Sequence, residues 1–352
     1  MSWMTSLSSS LTSTNLFHSP YLEMEALCVD LEGALVHYHT RPLRSLAYDI
    51  LARRLVHAGH SDMILDSLWT SRALEFAHSS LVLDCEHGTV LSLGLRGEVV
   101  TACFGLSFLS ETDIKTLYGD NSLYPMVNGV SRVPGKYWAC LSQLSAVLPA
   151  LYVICIEMIT RQQTLGKLVQ SLEEDLDQVW RECFDSPGSL ATVRSFYEAI
   201  YRQPGLYLKV NMRLPELLEK VRSEGKVLIL ITNESEKYTD FVCRYVLGKD
   251  WLGLFDEFLP EAGKSAFFTS GQLLSTKYPK HSFTSLGSHF INDIFTPKNY
   301  LHWKTVAILP EPQSESRLNP TFADMQCCYW LEFLGVYSDA VHPSLESYLL
   351  TC

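Results

Sequence analysis

The sequence predicts an α/β fold, a Rossmann-like doubly wound parallel sheet, and three observations lead there. First, Lys226-Val227-Leu228-Ile229-Leu230-Ile231 is apolar throughout after its lysine, as in a strand buried on both faces of a parallel sheet. Second, strand, loop and helix signals alternate from Leu214 to Leu309. Third, apolar runs stop abruptly at polar residues: Ala26-Leu27-Cys28-Val29 halts at Asp30, and Ile231 is followed by Thr232-Asn233. Open parallel sheets bind ligands at the carboxyl ends of their strands, so these polar residues are the first site candidates.

Taken in order, Ala26 to Val29 is a short strand. Arg41 to Ala58 carries apolar residues at helical spacing, Leu43, Leu46, Ile50, Leu51 and Leu55. Ser80 to Leu93 has the pattern of a hairpin turning at Glu86-His87-Gly88, and Gly97 to Phe104 continues with another strand. Residues 164–203 are helical and acidic, and Glu173, Glu174, Asp175 and Asp177 are expected on a solvated face. Leu214 to Glu224 is an amphipathic helix closed by Gly225. A helix follows Thr232-Asn233 as far as Tyr245, Phe255 to Leu259 and Trp303 to Leu309 are strands, and a short helix is expected near Tyr329 to Leu334.

Composition narrows the function. The chain has 352 residues, enough for a core and a second module, and at 47% hydrophobic and 19% charged it is globular rather than disordered. A net charge of −11, with no basic stripe, argues against nucleic-acid binding, which depends on neutralising phosphates. Ten cysteines without CxxC or zinc-finger spacing are expected as buried free thiols of a cytoplasmic protein. The Ser- and Thr-rich residues 1–24 lack the pattern of a signal peptide and are expected to be a tail. Tyr137 to Ile156 carries no charge and is long enough to span a bilayer, but Pro149 suits the first turn of a new helix. A buried helix pair is expected there, and no membrane contact.

Four places combine a strand end with a reactive side chain: Asp30, Thr232-Asn233, Lys264, and the loop from Gly287 to Asp293. Each also has an ordinary structural reading. Asp30 could cap a turn, Asp293 and Thr232-Asn233 could cap helices, and Lys264 could be a surface residue. His37 and His39 form an H-x-H without a carboxylate or cysteine at matching spacing, which favours a structural role. His57 and His60 lie on a predicted helix with no acid ligand nearby and are expected at the surface or rim.

The order and spacing of several segments resemble the 5′-nucleotidase branch of the haloacid-dehalogenase superfamily. They are Val29-Asp30-Leu31-Glu32-Gly33-Ala34-Leu35, Leu83-Asp84-Cys85-Glu86-His87-Gly88, Gly225 to Thr232, Tyr245 to Gly248 with Leu254 to Asp256, Lys264 with Phe267-Phe268, Gly287 to Phe295, and Trp303 to Leu309. The resemblance runs from about Leu27 to Pro310. It implies a haloacid-dehalogenase-like core at 25–40 and 211–352, with a mixed α/β cap inserted at 41–210 that closes over the site and helps select the substrate. It also implies Mg²⁺-dependent hydrolysis of a phosphomonoester, such as a nucleoside 5′-monophosphate, through an aspartyl-phosphate.

Carried over by position, Asp30 is the nucleophile and Glu32 the acid/base, one methylene longer than the aspartate expected there. Thr232, Asn233 and Lys264 bind phosphate, and Asp30, Glu32, Ser288 and Asp293 are the metal positions. The chain departs from the family pattern at Glu32, at Ala34 in place of a threonine, and at Ser288 in place of an acid that would bind Mg²⁺. Weakened Mg²⁺ binding and weakened activity are therefore expected. The alternative is a catalytically inactive relative serving as a binding or scaffold protein. The implied partners are a small phosphorylated metabolite or nucleotide and, for assembly, a homo-oligomer.

Overall fold

The computed structural model describes residues 25–78, 80–119, 132–161, 167–185, 190–270, 272–309 and 328–350. The expected N-terminal tail lies outside them. The chain divides into two units. Among the described residues, the first comprises 25–37, 210–309 and 332–350, and the second takes in those of 38–209 with 328–331.

The first unit is organised by strands Ala26–Val29 (β1), Val227–Ile231 (β2), Glu257–Leu259 (β3), Phe283–Gly287 (β4), Lys304–Ile308 (β5) and Ala340–His342 (β6). They pair in the order β3-β2-β1-β4-β5-β6, every neighbour parallel. The chain winds outward from β1 through β2 to β3, then returns to the other side of β1 at β4. That reversal is the topological switch point, where the loops after neighbouring strands part and leave a crevice. Val29 is in register with Leu230 on one side and Leu286 on the other, so the residues after β1, β2 and β4 emerge at one edge.

The apolar runs follow from burial on both faces: every residue of β1 is buried, as are four of the five in β2 and in β5. β4 lacks the continuous apolar pattern of its neighbours, because Thr284 and Ser285 interrupt it, yet both are buried. Ala26, Cys28, Ile229 and Ile231 pack with Phe268, Leu274, Phe283 and Trp303. Phe283 stacks on Trp303 with ring centroids 4.6 Å apart, and Phe268 meets Trp303 edge-on. The helix Glu236–Leu247 starts where the Ser235 hydroxyl accepts the Tyr238 N–H and stops at Gly248, whose φ of 100° suits glycine.

The second unit holds a six-stranded sheet whose pairings are antiparallel. The expected hairpin is Val82–Asp84 with Thr89–Leu93. Its turn is fixed by Asp84, which accepts the backbone N–H groups of Glu86 and His87 and the Tyr118 hydroxyl.

Two expectations are corrected in this unit. Tyr137 to Ile156 is not a helix pair: Tyr137–Ala139 is a strand beside Val82–Asp84, and a single buried helix, Val147–Arg161, follows with Pro149 in its first turn. The acidic stretch is not a freely solvated face. Glu173 is buried and paired with Arg132, Asp177 pairs with Arg132 and Arg181, and Asp175 lies 2.9 Å from His60. Helical spacing places charges on a face, but partners distant in sequence, such as Arg132, decide whether that face is dry. The His60 side chain is accordingly nearly buried, whereas His57 is exposed.

Among the described residues no helix is long and apolar enough to cross a membrane. Seven described cysteines are free and buried. Burial pushes their thiols up, Cys103 to about 12 and Cys183 to about 11, which leaves them poor nucleophiles.

Candidate active site

The loop after β1 is built to hold its first residue still. The Asp30 N–H donates to the Leu286 carbonyl at 2.8 Å, extending the β1–β4 ladder by one bond. The chain then doubles back: Leu35 N–H donates to Asp30 O at 3.1 Å, Val36 N–H to Leu31 O at 2.8 Å, and Gly33 N–H to Val36 O at 2.9 Å. Gly33 has φ 76°, and a Cβ there would fall 2.4 Å from the Ser288 hydroxyl. Glycine is therefore required twice over, for conformation and for room.

The loop after β4 meets it. The Ser288 hydroxyl donates to the Glu32 carbonyl at 3.0 Å. Asp293, on the short helix Phe290–Phe295, folds back so that its Oδ2 accepts the His289 N–H at 2.9 Å. A Cβ on Gly287 would lie 2.2 Å from the Asp293 carboxyl, so this close return also needs glycine. His289 Nδ1 accepts the N–H groups of Ile291 and Asn292, capping the helix with an unprotonated nitrogen.

Lys264 closes the arrangement. Its ammonium lies 2.5 Å from Asp30 Oδ1 and 2.7 Å from Asp293 Oδ1, and all three side chains are buried, Lys264 at 4% exposure. The helix Lys264–Ser270 is aimed by Asn233, whose Oδ1 accepts the Lys264 N–H at 2.8 Å. One positive charge thus faces two carboxyl groups in a dry setting. Burial, then the Asp293 charge, pushes the Asp30 carboxyl well above the usual carboxylate range, against the pull of Lys264. Burial works to lower the Lys264 ammonium, but Asp293 and Asp30 outweigh it and the net direction is up. His289 is pushed down, chiefly by burial and further by Lys264 against the pull of Asp293.

The structure therefore brings Asp30, Lys264 and Asp293 into direct contact, and ties Glu32 to Ser288 through the backbone. Thr232 follows β2 at the same edge, buried, with its hydroxyl accepting the Glu234 N–H at 3.1 Å. Asn233 acts on the backbone of Lys264. Sequence reasoning did not single out His289. Its signal was there: a histidine three residues ahead of Asn292, at the start of a helix, is placed to cap it.

The residues expected to hold Mg²⁺ do not fit that ion as they stand. Both carboxyl groups contact Lys264, position 288 supplies a hydroxyl in place of an acid, and that hydroxyl donates to the Glu32 carbonyl. Among the described residues no three Asp, Glu, His or Cys side chains are grouped to hold a metal. Mg²⁺ demands near-ideal octahedral oxygen donors, and the geometry offers it two carboxyl groups already neutralised in part by an internal cation.

Comparison with known proteins gives three kinds of likeness. The sequence profile described as 5′ nucleotidase family matches residues 22–286 of the 352. Human (Homo sapiens) 5′-nucleotidase domain-containing protein 1 is 24% identical over 323 residues, spanning 80% of this chain and 70% of that protein. The Bos taurus protein of the same name is 24% identical over 332 residues, 83% of this chain and 73% of its own. Among solved structures, an archaeal beta-phosphoglucomutase from Pyrococcus sp. strain ST 04 aligns with a TM-score of 0.40 at 14% identity, over 85% of this chain and 97% of that one. A haloacid dehalogenase-like family hydrolase from Streptococcus pneumoniae aligns with a TM-score of 0.38 at 12% identity, over 94% and 98%.

Proposed function

The chain belongs to the 5′ nucleotidase family, and from that premise we propose that it is a phosphomonoester-binding protein with a slow hydrolase activity toward nucleoside 5′-monophosphates or related small phosphate esters. The observation that carries this reading is the Lys264 ammonium held between Asp30 and Asp293 at the switch point of the sheet. A buried carboxyl group beside a fixed cation, at the edge where parallel sheets bind ligands, suits attack on an anionic phosphorus centre.

In the proposed reaction an Asp30 carboxylate oxygen attacks phosphorus in line with the ester oxygen. The P–O ester bond breaks as the aspartyl-phosphate bond forms, and Glu32 gives a proton to the departing alkoxide. The Glu32 carboxylate then takes a proton from water, the resulting oxygen attacks phosphorus, and inorganic phosphate leaves Asp30. Lys264 and Thr232 hold phosphoryl oxygens, and Asn233 keeps Lys264 in place through its backbone. The Lys264 ammonium offsets charge between nucleophile and phosphate, and no step is routed through Mg²⁺. We place the protein in the cytoplasm, the reducing compartment that its free buried thiols suit.

A second reading, an inactive relative acting as a binding or scaffold protein, is favoured by one contact: the Ser288 hydroxyl ties the Glu32 backbone. Glu32 is also a methylene longer than the expected acid, and a misplacement of about 1 Å costs roughly 10²-fold in rate. Hydrolysis of an aryl phosphate and a nucleotide panel by the full chain separates the two. Turnover that Asp30→Asn abolishes supports the hydrolase. Its absence across the panel leaves the binding protein.

A further inference from the structure

We propose that Ser288 makes this a site with an internal cation only: the Lys264 ammonium occupies the role of counter-charge, and no divalent ion is retained at Asp30 and Asp293. The proposal refines the phosphate-site reading above and presupposes it.

Three observations support the idea together. The four positions expected to hold a divalent ion are engaged with protein partners or with one another. Asp30 and Asp293 each give a carboxyl oxygen to Lys264, and the Ser288 hydroxyl donates to the Glu32 carbonyl. A cation seeking that carbonyl would share its oxygen with a hydrogen bond that also ties the loop after β1 to the loop after β4. Next, that bond sits in tightly packed backbone. Gly33 leaves no room for even a Cβ beside the Ser288 hydroxyl, and Gly287 none beside the Asp293 carboxyl. Each donor is held where it is, so rearrangement around an ion would move backbone as well as side chains. Finally, charge is short. Asp30 and Asp293 bring two negative charges at most, and one ammonium at 2.5 and 2.7 Å already offsets one of them. Glu32, whose charge also acts on Asp30, is the one further acid of the loop after β1, and position 288 contributes a neutral hydroxyl in place of another.

Position 288 is then the residue that decides which cation the site uses. Serine there donates a hydrogen bond to a carbonyl; an aspartate would turn the same position into an acceptor and add a negative charge.

Mg²⁺ titration of the full chain, followed by calorimetry and by thermal unfolding, tests this without requiring turnover. For the wild type we expect the same Tm in millimolar Mg²⁺ as in EDTA, and no binding heat at this site. Ser288→Asp is expected to bind Mg²⁺ tighter than wild type by about 10- to 100-fold or more and to gain a Mg²⁺-dependent rise in Tm. Ser288→Asn, equal in size but neutral, is expected to gain neither. Should Ser288→Asp fail to fold, the wild-type titration alone still decides. One Mg²⁺ bound per wild-type chain, and lost in Asp30→Asn, would overturn the proposal. So would Ser288→Asp folding normally with no gain in Mg²⁺ affinity. Failure of the hydrolase assay bears on the proposed reaction alone, because these readings measure the ion.

Discussion

At the scale of single residues, the site depends on one lysine serving two acids. Removing Lys264 leaves Asp30 and Asp293 buried and facing each other with no counter-charge. Breaking a buried ion pair from one side typically costs about 3–5 kcal/mol, far more than losing an exposed pair. Lys264→Met is therefore expected to lower stability in urea denaturation by about that amount, and Lys264→Met with Asp293→Asn by clearly less, since the second change removes one of the two stranded acids and their mutual repulsion. A loss no larger than about 1 kcal/mol for the single variant would mean that the triad is not dry. Gly33 allows a second test. Its φ of 76° and the 2.4 Å approach to the Ser288 hydroxyl predict that Gly33→Ala destabilises the chain by about 1–3 kcal/mol. The same variant should loosen the tie between Ser288 and Glu32, read as faster backbone amide exchange in the loop from Asp30 to Val36.

At the scale of elements, what the sequence discloses depends on whether the signal is local. β1, β2 and β5 were legible because burial on both faces demands apolar side chains throughout, and the structure places them within a residue of where the runs begin and end. β4 was less legible, since Thr284 and Ser285 are polar by type and buried by position. The helix Lys167–Trp180 was legible as a helix, but its acidic face was not legible as paired, because Arg132 and His60 reach it from distant parts of the chain. The candidate site divides the same way. Asp30, Lys264 and Asp293 were identified by order and spacing; that Asn233 aims Lys264 and that Ser288 grips the Glu32 carbonyl are facts of three-dimensional placement.

His78 lies shortly after the helix Ser67–Leu74. Burial first, and then nearby Arg44, hold His78 down to about 4. A histidine with a folded pKa below its unfolded value of about 6.5 is stabilising above that value, and the contribution is lost as pH falls toward 4. Urea unfolding should therefore show stability declining from pH 7 to pH 5, with a shallower decline in His78→Gln. An equal slope in the variant would place the titration elsewhere.

At the scale of the whole molecule, a doubly wound sheet and its switch point explain why residues 30, 264 and 293, far apart in sequence, meet at one edge. The same architecture is compatible with a working hydrolase and with a silent relative, so fold cannot choose between them. The choice rests on whether Asp30 forms a covalent bond to phosphorus. Acid quenching of the full chain during incubation with a nucleoside 5′-monophosphate, followed by peptide mass spectrometry, detects that bond directly. The account predicts a hydroxylamine-labile phosphate on the peptide containing Asp30, absent from Asp30→Asn. Hydrolysis that proceeds with no phosphate on Asp30, or that survives in Asp30→Asn, would contradict it.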